Sequence, residues 1–230
     1  MVGGGLNFCA GVCLGCALKI LILSDIHYPT GLSMACFDVI QREKPDIVVL
    51  LGDIVVGRGN QTIKNMREFL DEYPYPVEKS VILVGDNEFI GNRGILELLN
   101  GLPKLNPDPF MHVLGNMFFT HGNIEGRGPL SRLLEETGGI VARALKPLIP
   151  RIVSSLARIE NGLNPRMYAF LGHIHFLGFV EPTQTVFCGT FSTKRMVYPP
   201  EESLGYVVVE PPESLIVERG AIRIVRFTQK

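Results

Sequence analysis

The sequence predicts an α/β fold, with a mainly parallel sheet in its N-terminal half and short antiparallel strands in its C-terminal half. Three observations predict it. Apolar runs and amphipathic segments alternate three times between residues 17 and 88, each of these runs leads into an acidic residue, and beyond residue 110 the runs shorten around glycine-containing turns. Alternating strand and helix call for parallel pairing through helical crossovers, whereas short runs about a Gly-Asn turn call for hairpins.

In chain order, "ALKILILSD" (17–25) reads as a strand, and "GLSMACFDVIQREKP" (31–45) as a helix with apolar Leu32, Cys36, Val39 and Ile40 on one face. "DIVVLLGD" (46–53) repeats the strand. "NQTIKNMREFLDEY" (60–73) repeats the helix, with Asn60 as its expected cap and Ile63, Met66, Phe69 and Leu70 as its apolar face, and "SVILVGDNE" (80–88) is the third strand. "MHVLGNMFFTHG" (111–122) predicts two strands about Gly115-Asn116, and "SLIVERGAIRIVRF" (214–227) a hairpin around Arg219 and Gly220. Strands over 167–171, 176–180, 185–188 and 205–209 fill the interval. Residues 129–159 carry Val141, Leu145, Leu148, Ile152 and Leu156 at helical spacing, with Pro147 and Pro150 expected to bend or divide the helix. Covering the sheet is the ordinary role for such a helix; its Arg143, Lys146, Arg151 and Arg158 also suit a lid, a homodimer contact or a membrane-surface helix.

The chain has 230 residues, 46% of them hydrophobic and 20% charged, enough for a substantial core. A formal net charge of -1 gives no basic field for nucleic acid. No apolar run reaches the roughly 18 residues of a membrane span, because Lys19 and Asp25 bound the most hydrophobic stretch. Residues 1–16 contain no lysine or arginine and so lack the basic region of a secretory signal. Five cysteines, three of them crowded at Cys9, Cys13 and Cys16, do not form a disulfide framework, and the expected compartment is the reducing cytoplasm. Their C-x3-C-x2-C spacing resembles that of three-thiolate iron–sulfur sites, but no aromatic residue precedes the last cysteine. Residues 1–16 are therefore expected to be a disordered leader, and residues 17–230 one domain.

Polar residues gather where the apolar runs stop. The first strand leads to Asp25 and His27 in "SDIH", the second to Asp53 in "LGD", the third to Asp86, Asn87 and Glu88 in "GDNE"; His121 ends "MFFTH", and His173 and His175 lie in "GHIH". In an α/β sheet the carboxyl ends of strands line the ligand crevice, so these residues should converge. Any one aspartate here would serve as a turn or cap residue, but three aspartates and four histidines in this order are better explained together. Carboxylates with imidazoles and no thiolate suit manganese, iron, zinc or nickel. Crowded carboxylates repel unless cations lie between them, and seven ligands are enough for two ions about 3.5–4 Å apart that share a carboxylate.

These motifs, D-x-H, G-D, "GDNE", H and G-H-x-H over residues 20 to 192, resemble those of the calcineurin-like metallophosphoesterase superfamily. The resemblance implies an αββα four-layer sandwich, two mixed β-sheets flanked by helices. It also implies two divalent ions, manganese first among them: Asp25, His27, Asp53 and His175 on one, and Asp53, Asp86, His121 and His173 on the other, with Asp53 bridging. Asn87, His121 and Asp53 make up the implied catalytic set. Two positions depart from the family pattern G-N-H-[DE]. Asp86 replaces asparagine and adds charge, and Asn87 replaces a histidine that assists the leaving group, which a carboxamide cannot protonate near pH 7. "HGN" (121–123) and "FCGTFS" (187–192) resemble, with changes, motifs of a compact branch that includes broad-specificity bacterial phosphodiesterases and the retromer subunit of this fold.

The expected function is hydrolysis of a small phosphate ester, a phosphodiester with a good leaving group in particular, by a metal-bound hydroxide. The alternative is a binding or scaffold protein that keeps the fold without the chemistry. Glu88 is expected to orient its neighbours or cap a turn, His112 to be structural, and Arg58, Arg93 and Arg195 to be surface residues unless one clamps phosphate.

Overall fold

Every residue of strand β1 (Ile20–Leu23) is apolar because both faces of the strand are covered. Leu21 and Leu23 pack with the helices, while Ile20 and Ile22 pack against the second sheet, as a period of two requires. A computed structural model describes residues 18–30, 32–89, 93–122, 146–193, 198–212 and 214–227. The expected leader 1–16, Asn123, the part of the expected helix up to residue 145 and Arg195 lie outside them.

After β1 come α1 (Ala35–Glu43), β2 (Ile47–Leu50), α2 (Asn60–Glu72), β3 (Ser80–Ile82), the single turn α3 (Asp86–Phe89) and α4 (Arg93–Asn100). The second half contributes β4 (Met111–Leu114), β5 (Met117–Thr120), α5 (Ile149–Glu160), β6 (Tyr168–Leu171), β7 (Leu177–Val180), β8 (Thr185–Cys188), α6 (Pro200–Ser203), β9 (Gly205–Val209) and β10 (Ile222–Arg226).

Two mixed five-stranded sheets result, ordered β10-β9-β1-β2-β3 and β4-β5-β6-β8-β7. β1, β2 and β3 pair in parallel, as do β5, β6 and β8, and antiparallel strands close the remaining positions. Three apolar layers separate four layers of structure. Phe37, Met66, Phe69, Ile95 and Leu99 from the helices meet one face of the first sheet. Val49, Leu51 and Leu83 meet Met117, Phe119 and Phe170 between the sheets. Ile149, Val153 and Ala157 of α5 cover Leu171 and Phe187 on the outer face of the second sheet. The αββα sandwich expected from the sequence is the observed architecture.

Two local expectations need correction, and a third, at the prolines where α5 begins, is met. Asn60 does not cap α2: it is the first helical residue, and Gly59, with non-helical φ 56° and ψ -128°, occupies the cap position. The helix read over 129–159 is interrupted at Pro147 by the turn 146–148, and Pro150 stands in the first turn of α5, where its missing N–H costs nothing. Residues 214–218 form no strand of a hairpin. Leu215 takes φ 55°, its carbonyl accepts the Asn116 N–H at 3.3 Å, and the Val217 N–H reaches Asn116 Oδ1 at 2.7 Å. With its hydrogen bonds spent on the β4–β5 turn, this segment leaves β10 to pair with β9.

Candidate metal centre

The apolar runs are longer than the strands they form, and the surplus makes the site. β2 stops at Leu50 although its run continues to Asp53, because Gly52 (φ 93°) and Asp53 (φ 47°) leave the extended region. Asp25, His27, His173 and His175 are likewise left-handed, with φ of 51°, 54°, 68° and 53°. A non-glycine residue in that conformation costs of order 1–3 kcal/mol, and such strain concentrates at functional sites. Cross-links between the loops hold it: Asp25 N–H donates to the Gly52 carbonyl at 3.1 Å, and His27 N–H to that of Asp53 at 3.0 Å. The Asp25 carbonyl accepts from Phe191 N–H at 3.1 Å and from Thr190 Oγ1 at 2.8 Å.

All seven expected ligands come together, in three overlapping groups whose donor atoms lie within 4.8 Å of one another. In the first group, His175 Nε2 is 3.2 Å from Asp25 Oδ1 and 3.2 Å from His27 Nε2, and His27 Nε2 is 4.0 Å from Asp25 Oδ1. Bonds of about 2.0–2.2 Å set two ligands of one ion roughly 3–3.5 Å apart, so this triangle is close to a coordination shell. Asp86, His121 and His173 form the second group, with His173 Nδ1 3.5 Å from Asp86 Oδ2. Asp25, Asp53 and His121 form the third, which shares one residue with each of the others; His121 Nε2 is 3.7 Å from Asp53 Oδ1. Asp53 thus lies beside one residue of each of the other two groups.

The donor atoms are aimed inward by their other bonds. His121 Nδ1 lies 2.8 Å from the Leu51 carbonyl, which can only accept, so Nδ1 carries a proton, and it is Nε2 that faces the cluster and offers a lone pair once the ring is neutral. Asp25 Oδ2 accepts from Ser24 Oγ at 2.5 Å and from His173 N–H at 3.0 Å, leaving Oδ1 for the site. Asp25 Oδ1, Asp86 Oδ1 and His121 Nε2 are buried without a hydrogen-bond partner among the described residues, as is His175 Nδ1. Buried polar atoms are rarely left so, and two of these four, Asp25 Oδ1 and His121 Nε2, face other members of the three groups. The residues therefore fit a divalent-metal centre.

Glycines let the loops close around it. A Cβ on Gly85 would strike Asp53 Oδ1 and the Asp53 backbone nitrogen, and one on Gly172 would strike Ser24 Oγ. Glu88, expected to orient neighbours, is fully buried and accepts the backbone N–H groups of Asp53 and Gly85 on Oε2, at 2.9 and 2.8 Å, and that of Val55 on Oε1 at 2.9 Å. It clamps the β2 and β3 loops together.

Electrostatics reflect crowded charge. Burial, reinforced by the Asp53 charge, pushes the Glu88 carboxyl up to about 7. Burial alone would lower His121, but Asp53, Asp25, Asp86 and Glu88 raise it to about 9. Burial would raise Asp25, yet the imidazoles of His175, His121 and His27 hold it well below the usual carboxylate range. Asp86 is raised by burial despite His173 and His121; His175 is raised because Asp25 outweighs its burial, and His27 is lowered because burial wins.

Ser24, Thr190 and the Leu51 carbonyl were not singled out by sequence reasoning. Ser24 had a signal, its place beside Asp25; a backbone carbonyl has none. His112 is half-buried and stacks on Phe119, as a structural role predicts, and Arg58 and Arg93 are exposed.

Comparison with curated proteins finds no match. Among solved structures, an archaeal phosphodiesterase aligns over 91% of this chain and 100% of its own, at 18% identity and a TM-score of 0.51. The phosphoesterase Yfce from E. coli aligns over 84% and 92%, at 16% identity and a TM-score of 0.46. Vps29 from Entamoeba histolytica, complexed with zinc, aligns over 91% and 98%, at 15% identity and a TM-score of 0.43. At such identities the likeness is one of fold. The sequence profile of calcineurin-like phosphoesterases matches residues 18–177, which include all seven converging side chains, and the chain belongs to that family.

Proposed function

We propose that the chain is a phosphodiesterase dependent on two divalent cations, manganese by preference. Asp25, His27, Asp53 and His175 hold one, and Asp53, Asp86, His121 and His173 the other. The observation that carries this reading is that the group of Asp25, Asp53 and His121 joins the other two through Asp25 and His121, with buried ligand atoms unpartnered among the described residues. When bound, the cations supply an activated water and neutralise charge on the phosphoryl oxygens.

The chain's own residues set the rest. Asp53 ties the two halves, and its own position is fixed by Glu88 and by the Asn87 N–H, which donates to Asp53 Oδ1 at 2.9 Å. His121 is kept facing inward by Leu51. Asn87 has no proton to give a leaving group near neutral pH, so phosphodiesters with good leaving groups are preferred over alkyl monoesters. The test is hydrolysis of bis(p-nitrophenyl) phosphate by chelator-treated protein supplied in turn with manganese, nickel, cobalt, iron and zinc. Turnover with at least one ion is expected, and none with any of them would remove the enzymatic reading.

Asn87 is also what favours a second reading, a binding module that retains its ions without hydrolysis. Ions retained at full stoichiometry with no turnover would select it. The remaining expectations, residues 17–230 as one domain and a cytoplasmic location, are kept as proposals. Among the described residues no helix is long and apolar enough to cross a membrane.

A further inference from the structure

Asn87 stands between two ligand residues. Its backbone N–H donates to Asp53 Oδ1, and its carboxamide nitrogen Nδ2 lies 3.3 Å from His27 Nδ1. The other nitrogen of His27, Nε2, is the one that faces His175 Nε2 and Asp25 Oδ1. An imidazole that gives the Nε2 lone pair to a cation carries its proton on Nδ1, and that N–H then needs an acceptor. The Asn87 carboxamide is the group placed to provide it. Rotating a carboxamide by half a turn exchanges its oxygen and nitrogen with almost no change of shape, so the same side chain can accept from Nδ1–H or donate to a bare Nδ1.

We infer that Asn87 is a positioning residue for the metal site: in the loaded protein its Oδ1 accepts the Nδ1–H of His27, fixing the tautomer that frees Nε2 for the ion at Asp25, His27 and His175. The inference rests on the two-cation reading above. It assigns a role to one of the two residues at which this chain departs from its family pattern, a role that a proton donor does not require. It also explains how α3, a single turn, serves both halves of the site: Asp86 joins His121 and His173, while Asn87 supports His27 and Asp53.

The experiment compares full-length wild-type protein with Asn87→Leu, Asn87→Ala and Asn87→Asp, each stripped with chelator and titrated with zinc by calorimetry. Wild type should bind two ions. Asn87→Leu and Asn87→Ala should weaken one of the two by about 10–100-fold, the usual effect of losing a group that orients a ligand. Asn87→Asp keeps an acceptor and should bind that ion as tightly as wild type or more so. Urea midpoints of the stripped proteins separate this from general loosening: they should agree among the variants while the zinc affinities differ. In the zinc-loaded wild type, nitrogen-15 correlation spectra should show the His27 proton on Nδ1 and protected from exchange, with the protection lost in Asn87→Leu. Unchanged affinity in both Asn87→Leu and Asn87→Ala, Asn87→Asp as weak as they are, or a His27 proton on Nε2, would each overturn the inference while leaving the two-cation reading intact. Failure of the wild type to bind zinc would overturn both.

Discussion

The molecule holds two clusters of charge, one at the end of α1 and one where the loops of the two sheets meet, and they are built on opposite principles. At Glu43 the chain supplies its own cations. The carboxylate accepts from Lys19 Nζ at 2.8 Å, Tyr206 OH at 2.6 Å and Arg223 at 3.0 Å, and Arg42 bonds the same tyrosine at 2.7 Å. Burial alone would raise Glu43, but these partners bring it down to about 2. At the metal centre, Asp25, Asp53 and Asp86 have only imidazoles as ion-pair partners among the described residues, and buried donor atoms remain unused. The first cluster is electrostatically complete. The second is complete only with cations from outside, and this difference, more than the number of acidic residues, separates a structural cluster from a functional one.

The comparison is broken most severely at Asp53. Asp53→Asn should abolish measurable diesterase turnover and lower metal affinity by more than about 100-fold, since loss of a group that merely orients a ligand already costs 10–100-fold. Calorimetry of the stripped protein measures it. Glu43→Gln should do the reverse, leaving metal stoichiometry untouched while Lys19, Tyr206 and Arg223 lose the charge and one of the two acceptor oxygens they share, at a cost of about 1–3 kcal/mol in urea unfolding.

The clusters should also respond oppositely to pH. In metal-free protein, His121 sits at about 9 against 6.5 when unfolded, and Glu88 at about 7 against 4.5. Both are raised by folding, so the stability they confer is full below the unfolded values and is lost as pH climbs through the folded ones. Glu43 is lowered from 4.5 to about 2, so its contribution is present above 4.5 and is lost as pH falls toward 2. Urea midpoints of stripped protein should therefore fall between pH 6 and 9, and added metal should reverse that trend because the ligands bind it deprotonated. The smallest effect is expected for Tyr206→Phe, about 1 kcal/mol from the hydroxyl shared by Glu43 and Arg42, with metal binding unchanged.

Much of this was legible in the sequence because strands buried on both faces must be apolar throughout and must end where chemistry begins. β1, β2 and β3 with their terminal aspartates follow from that rule, and so does the order of the histidines. What was not legible depends on partners chosen by tertiary structure. Residues 214–218 have a strand's composition, yet Asn116 captures their hydrogen bonds. Gly59 takes the cap position that Asn60 has the side chain to fill. The inward lone pair of His121 is set by the carbonyl of Leu51, seventy positions away, which no side-chain pattern could reveal.

The most direct test of the central claim, that the acidic and imidazole side chains form an unfinished cluster completed by cations, is a calorimetric titration of chelator-treated full-length protein with manganese. Two equivalents per chain are predicted, with a rise in the unfolding temperature that is absent in Asp53→Asn. No binding, and an unfolding temperature indifferent to manganese, would contradict it.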